Sequence, residues 1–95
     1  MDIRTRGAIE KVIDDFVDQV NISSDVRWIE NELPVKSIAD VALGLAIAAI
    51  ETLAIEEIIT LENRTPTDAD SDEVRAIIKR RLAEITSRIK SELDI

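Results

Sequence analysis

Carboxylates are the only side chains in this sequence whose number and spacing could support metal or acid–base chemistry. The chain has 20 Asp and Glu residues against 12 Lys and Arg, and it has neither cysteine nor histidine. It therefore lacks Ser-His and Cys-His nucleophile pairs, a zinc-thiolate site and a histidine metal site. Carboxylate oxygens suit a hard cation such as Mg²⁺. Four acidic residues are the candidate metal ligands: Asp14, Asp18, Asp40 and Glu51.

The spacing of these four acids limits what they could bind together. Asp14 and Asp18 are four residues apart, so they are neighbours on one face of a helix. Asp40 and Glu51 lie on one strip of a predicted helix, but at ~1.5 Å per residue they are ~16 Å apart and cannot share one ion. The favoured interpretation is a solvated acidic face, in which Glu51 forms a salt bridge with an arginine of the first or last helix.

Residues 37–41, SIADV, are similar to the second motif of the MazG-type nucleoside triphosphate pyrophosphohydrolases. That all-α family binds Mg²⁺ with helical E-x-x-E and E-x-x-D pairs. Asp15-x-x-Asp18 resembles a shifted and shortened version of the first motif, and Ser37 stands where the family has an acid. The resemblance implies an alternative function, a degenerate Mg²⁺-dependent phosphohydrolase. Apart from this resemblance, the sequence indicates no catalytic site and no cofactor.

Hydrophobic periodicity predicts an all-α fold in a single domain, residues 1–95. Two glycines and two prolines leave few turn residues, so long helices are expected. The predicted helices span about 5–20, 24–32, 35–62 and 71–93, with a loop over 63–70. Asp70 or Ser71 is predicted to cap the last helix. The expected architecture is a bundle of three long helices and one short helix.

The third predicted helix is apolar around most of its circumference. One arc, about 80° wide at ~100° per residue, holds four small residues: Ala39, Ala42, Ala46 and Ala49. Gly44 lies roughly opposite, and because glycine costs ~1 kcal/mol in a helix, the close approach of another backbone would explain it. The alternative is that alanine is present simply because it is the best helix former.

The length and apolarity of this helix predict self-association. At ~1.5 Å per residue it is ~42 Å long, against ~32 Å for the diameter of a compact chain of this size. An elongated bundle or contact with a second copy would resolve the mismatch. We predict that one chain cannot shield the alanine row, and that the protein is an obligate homo-oligomer, a homodimer or tetramer. Trp28 is predicted to be an interface anchor or a cover for the end of the core.

Charge and the apolar pattern bear on other partners. The net charge is −8, which disfavours nucleic acid, although residues 71–95 carry six bases against five acids. A nucleic-acid accessory protein using this basic last helix is the second alternative. Asp40 and Glu51 interrupt the apolar run, so no membrane span is expected, and a cytoplasmic location is predicted. The favoured function is a non-catalytic oligomerisation or adaptor protein that binds itself and, in the adaptor role, another protein.

Overall fold

Five α-helices and no β-strand make up the regular structure of the chain. The computed structural model describes residues 1–95. Its helices are α1 (Ile3–Asp18), α2 (Ser23–Glu32), α3 (Ile38–Glu62), α4 (Asp68–Arg80) and α5 (Leu82–Leu93). The all-α prediction is confirmed. The predicted count of four helices is wrong, because the last predicted helix is divided into α4 and α5.

Side-chain caps determine where three of the helices begin. The Asp2 carboxylate accepts the N–H of Thr5 at the start of α1 (2.8 Å). Thr67 caps α4 in a reciprocal capping box with Asp70. The prediction that Asp70 or Ser71 is the cap is therefore wrong, and α4 begins three residues earlier than expected. The connection after α3 shortens accordingly.

Arg81 alone separates α4 from α5. Its backbone (φ −103°, ψ 11°) lies outside the helical region. Its guanidinium donates to the main-chain oxygen of Glu10 (3.0 Å) and to the carboxylates of Asp14 (2.6 Å) and Glu84 (2.9 Å). No proline or glycine lies near this residue, so the sequence carried none of the usual signals of a helix break.

α3 is the central helix, and all four other helices contact it. α1 runs antiparallel to α3, because Arg4 near its start donates to the carbonyl of Leu61 (2.9 Å) and Phe16 near its end lines a cavity with Ala49. α3 buries one row of residues at intervals of four: Ala42, Ala46, Ile50, Ala54 and Ile58. We call this row the closed side of α3.

The prediction that one chain cannot shield the alanine row is wrong for its two middle members. Ala42 and Ala46 are fully buried within the single chain, whereas Ala39 and Ala49 are half-buried. The small side chains of Ala42 and Ala46 face the chain's own helices and belong to the same buried cluster as Ile9 and Ile13. Ala42 and Ala46 therefore require no second copy and are not available as an interface.

The molecule is elongated, with principal extents of 41 × 22 × 18 Å. This is one of the two outcomes expected from the length of the central helix. α3 is also long and apolar enough to cross a membrane by length and composition, with a mean hydropathy of 2.0 over 18 residues. The charges of Asp40 and Glu51 do not prevent α3 from meeting these criteria of length and composition. One such helix is weak evidence for a span, because the core helix of a soluble protein has the same properties.

Candidate interaction surface

The four acidic candidate ligands lie on different parts of the surface. Asp14 pairs with Arg81 (2.6 Å) and Glu51 pairs with Arg75 of α4 (3.1 Å). The salt bridge predicted for Glu51 is therefore confirmed. The other two candidates are exposed and form no ion pair: Asp18 and Asp40. No group of three or more acidic side chains is placed to hold a metal ion.

The fragment that resembles the MazG motif forms the start of α3. The Ser37 hydroxyl accepts the N–H of Asp40 (3.2 Å), so these two residues form a helix N-cap. In the other fragment, Asp15 pairs with Lys11 one turn away (2.9 Å). Serine at position 37 thus caps α3.

The basic residues of α4 and α5 mostly pair with acids of the same chain. Arg80 pairs with Glu10, and Arg88 donates to the carbonyl of Val17 (2.8 Å) and pairs with Glu92 (3.0 Å). Arg81 pairs with both Asp14 and Glu84. Most of its positive charge therefore faces carboxylates.

A buried carboxylate lies at the turn between α3 and α4. Arg64 donates both terminal nitrogens to Asp70 (2.5 and 2.9 Å), and Asp70 also accepts the N–H of Thr67 (2.7 Å). These donors hold the pKa of Asp70 well below its usual range. Sequence reasoning missed this cluster, although Thr67-x-x-Asp70 carries the spacing of a capping box. The cluster fixes the turn that orients α4 along α3.

The side of α3 away from the closed side is only partly covered by the chain's own helices. Its residues recur at alternating intervals of four and three, and we call them the seam: Val41, Leu45, Ala48, Thr52, Ile55 and Ile59. Ala48, Thr52 and Ile59 are exposed and the other three are half-buried. This spacing is the 3.5-residue period of helices that pair side by side. The seam carries no charge.

The middle of the seam is concave. A shallow hollow of about 400 Å³ is lined by Ala48, Thr52 and Ile55, with Glu51 and Glu56 at its edges. Beside the seam, a methyl group added to Gly44 would meet nothing within 4 Å. The predicted close approach at Gly44 is therefore not made by the chain's own helices.

A deeper groove lies between the end of α1 and α3. It encloses about 410 Å³, and its floor is apolar: Val12, Phe16, Ile22, Ala49 and Leu53. Asp15, Glu56 and Glu57 stand around it. Asp15 is paired with Lys11, whereas the two glutamates form no ion pair. We call this feature the acidic groove.

Trp28 lies on the exposed surface of α2. Its side chain is 60% exposed, so it does not cover the end of the core. Arg27 beside it is also exposed and forms no ion pair. The role of Trp28 as an interface anchor stays a prediction.

Comparisons with known proteins place the chain in no family. No protein-family model matches it, and neither a curated protein nor a solved structure is similar to it. The surface features of the chain that offer contacts are the seam, the acidic groove and the exposed Arg27–Trp28 pair.

Proposed function

We propose that this chain is a non-catalytic oligomerisation module, in which two copies pair through the seam of α3. Pairing would bury the uncharged residues that the chain's own helices leave in water. The dimer would present two identical acidic outer surfaces, which is the geometry of a small adaptor. The proposal keeps the predicted self-association but moves the contact from the alanine row to the other side of the helix.

The seam is the observation that carries this proposal. An exposed apolar strip on a monomer favours non-specific association unless a partner covers it. Here the strip has the period of a coiled-coil contact and small residues at its centre, Ala48 and Thr52. Small residues allow two helix backbones to approach closely. Gly44 beside the seam leaves further room for such an approach.

Replacing Ala48 with glutamate tests the proposal. The wild-type chain is expected to show about twice its 10.6 kDa chain mass by light scattering at micromolar concentration. Ala48→Glu should give the single-chain mass with unchanged helical circular dichroism, because residue 48 is exposed in the single chain. Pairing would bring the new charges of both copies into an apolar contact.

Ala83→Glu is the matched control. Ala83 is an exposed alanine of α5, and the surface depression around it includes no residue of α3. This variant should remain dimeric. A wild-type chain with the single-chain mass would contradict self-association, and a dimeric Ala48→Glu variant would contradict the seam as its site.

A further inference from the structure

We infer that the two copies pair antiparallel, and that Arg27 and Trp28 of each copy dock into the acidic groove of the other. This inference rests on the proposed self-association and assigns it an orientation and a second contact. It connects two features that the seam alone leaves unexplained, an exposed tryptophan and an open apolar groove.

The size of the seam calls for additional contact area. It spans eighteen residue steps, ~27 Å at ~1.5 Å per residue, and a helix is ~10 Å wide. The resulting footprint of roughly 270 Å² is well below the ~800 Å² that each partner contributes to a standard interface. A tryptophan side chain buries ~150–250 Å², and the two-fold symmetry would provide this contact twice.

The chemistry of the two surfaces is complementary. The groove has an apolar floor, which suits an indole ring, and two glutamates without ion-pair partners, Glu56 and Glu57. Arg27 is a cation without an ion-pair partner next to the exposed Trp28. Arginine and tryptophan are the residues that most often anchor protein interfaces. The docked pair would form charge-assisted hydrogen bonds between the guanidinium and the glutamates.

The arrangement of the helices supports the antiparallel orientation. α1 and α2 follow one another along one flank of α3: the groove lies beside residues 49–57, and α2 leads back to the start of α3 at Ile38. A two-fold axis across an antiparallel pair keeps this flank on the same side in both copies. It therefore sets α2 of one copy beside the groove of the other.

A parallel pair would not produce this match. It would set α2 of each copy at the level of the other's residues 38–48, away from the groove. In the heptad register of the seam it would also place Glu51 of each copy beside Glu56 of the other, which gives two contacts of acid against acid. An antiparallel pair centred on residue 50 has one such contact, between the two copies of Glu51, and it sets Glu56 at the level of Gly44, where the second copy is uncharged.

Fluorescence of Trp28 tests the docking directly, because it is the only tryptophan and the chain has no tyrosine. The wild-type dimer should emit at shorter wavelength, and be quenched less by acrylamide, than the monomeric Ala48→Glu variant. Equal emission and quenching in the two states would overturn the docking while leaving the seam dimer intact. A wild-type chain that is monomeric would instead overturn the proposed function itself.

A charge exchange tests the ionic part. Arg27→Glu and Glu56→Arg should each weaken dimerisation by roughly tenfold, the effect of losing ~1.4 kcal/mol, and the two changes combined in one chain should restore it. If the double variant loses as much dimerisation free energy as the two single variants together, Arg27 and Glu56 do not contact each other.

Cysteine cross-linking tests the orientation, because the natural chain contains no cysteine. Mixed Val41→Cys and Ile59→Cys chains should form the 41–59 disulfide preferentially. Preferential 41–41 and 59–59 disulfides would show a parallel pair and overturn the inference.

Discussion

The two sides of α3 have similar apolar compositions and opposite environments. The closed side repeats at intervals of four and is buried by the chain's own helices. The seam alternates intervals of four and three, and the chain leaves its residues exposed or half-buried. Composition therefore identifies α3 as a helix that needs neighbours on both sides, but only the positions of those neighbours decide which side the chain covers itself.

The two acids at the edges of the hollow in the seam differ in their pairing. Arg75 pairs with Glu51 across α3 and α4 (3.1 Å), whereas Glu56 forms no ion pair and also stands beside the acidic groove. Glu56 is therefore open to a cation of the second copy, and Glu51 already has one within the chain.

The adjacent residues Ile58 and Ile59 give the sharpest test of the difference between the two sides of α3. Ile58 is fully buried and Ile59 is 48% exposed. In the monomeric Ala48→Glu background, Ile58→Ala should lower the free energy of unfolding by ~2–5 kcal/mol. Ile59→Ala should lower it by less than ~1 kcal/mol. Urea unfolding measures both, and equal losses would mean that the seam is covered within the single chain.

Protonation of Asp70, the buried acid at the turn between α3 and α4, should lower the free energy of unfolding. Because its pKa lies below the ordinary value of 3.8, the carboxylate contributes stability that is complete above about pH 4 and is lost as the pH falls toward the lowered pKa. Asp70→Asn should therefore be less stable than the wild type at pH 7, and the two should converge as the pH falls. Asp72→Asn, at an exposed acid of the same helix, is the control and should follow the wild-type curve.

The smallest effect concerns the two glycines. Gly7 and Gly44 are both helical, and a methyl group added to either meets open space in the single chain. Alanine at each position should raise the free energy of unfolding of the Ala48→Glu monomer by up to ~1 kcal/mol. In the wild-type dimer, the gain at Gly44 should be smaller than the gain at Gly7, because the added methyl would meet the second copy. Equal gains in thermal unfolding would argue against a close contact at Gly44.

Sequence reasoning predicted the parts of the structure that depend on local pattern. The stripe containing Ile9, Ile13 and Phe16 marks α1, and all three are buried. The salt bridge of Glu51 with an arginine of the first or last predicted helix was also expected, and it forms with Arg75. These inferences needed only the helical period and the sign of nearby charges.

The wrong predictions concern features that depend on contacts between residues far apart in the sequence. Helix periodicity places Ala42 and Ala48 on different sides of α3, but it does not show which side α1 and α2 cover. The break at Arg81 depends on acids more than sixty residues earlier, Glu10 and Asp14, which no local signal reveals. For the same reason, the acidic groove is invisible in the sequence, since its walls come from two separated helices.

The interruption at Arg81 divides the last part of the chain into two short helices, α4 and α5, joined by one residue. α5 begins there without a side-chain cap, so its first amide protons lack the partner that a serine or threonine would supply. The first amide protons of α5 should therefore exchange with deuterated solvent early, as those at the two ends of the chain do.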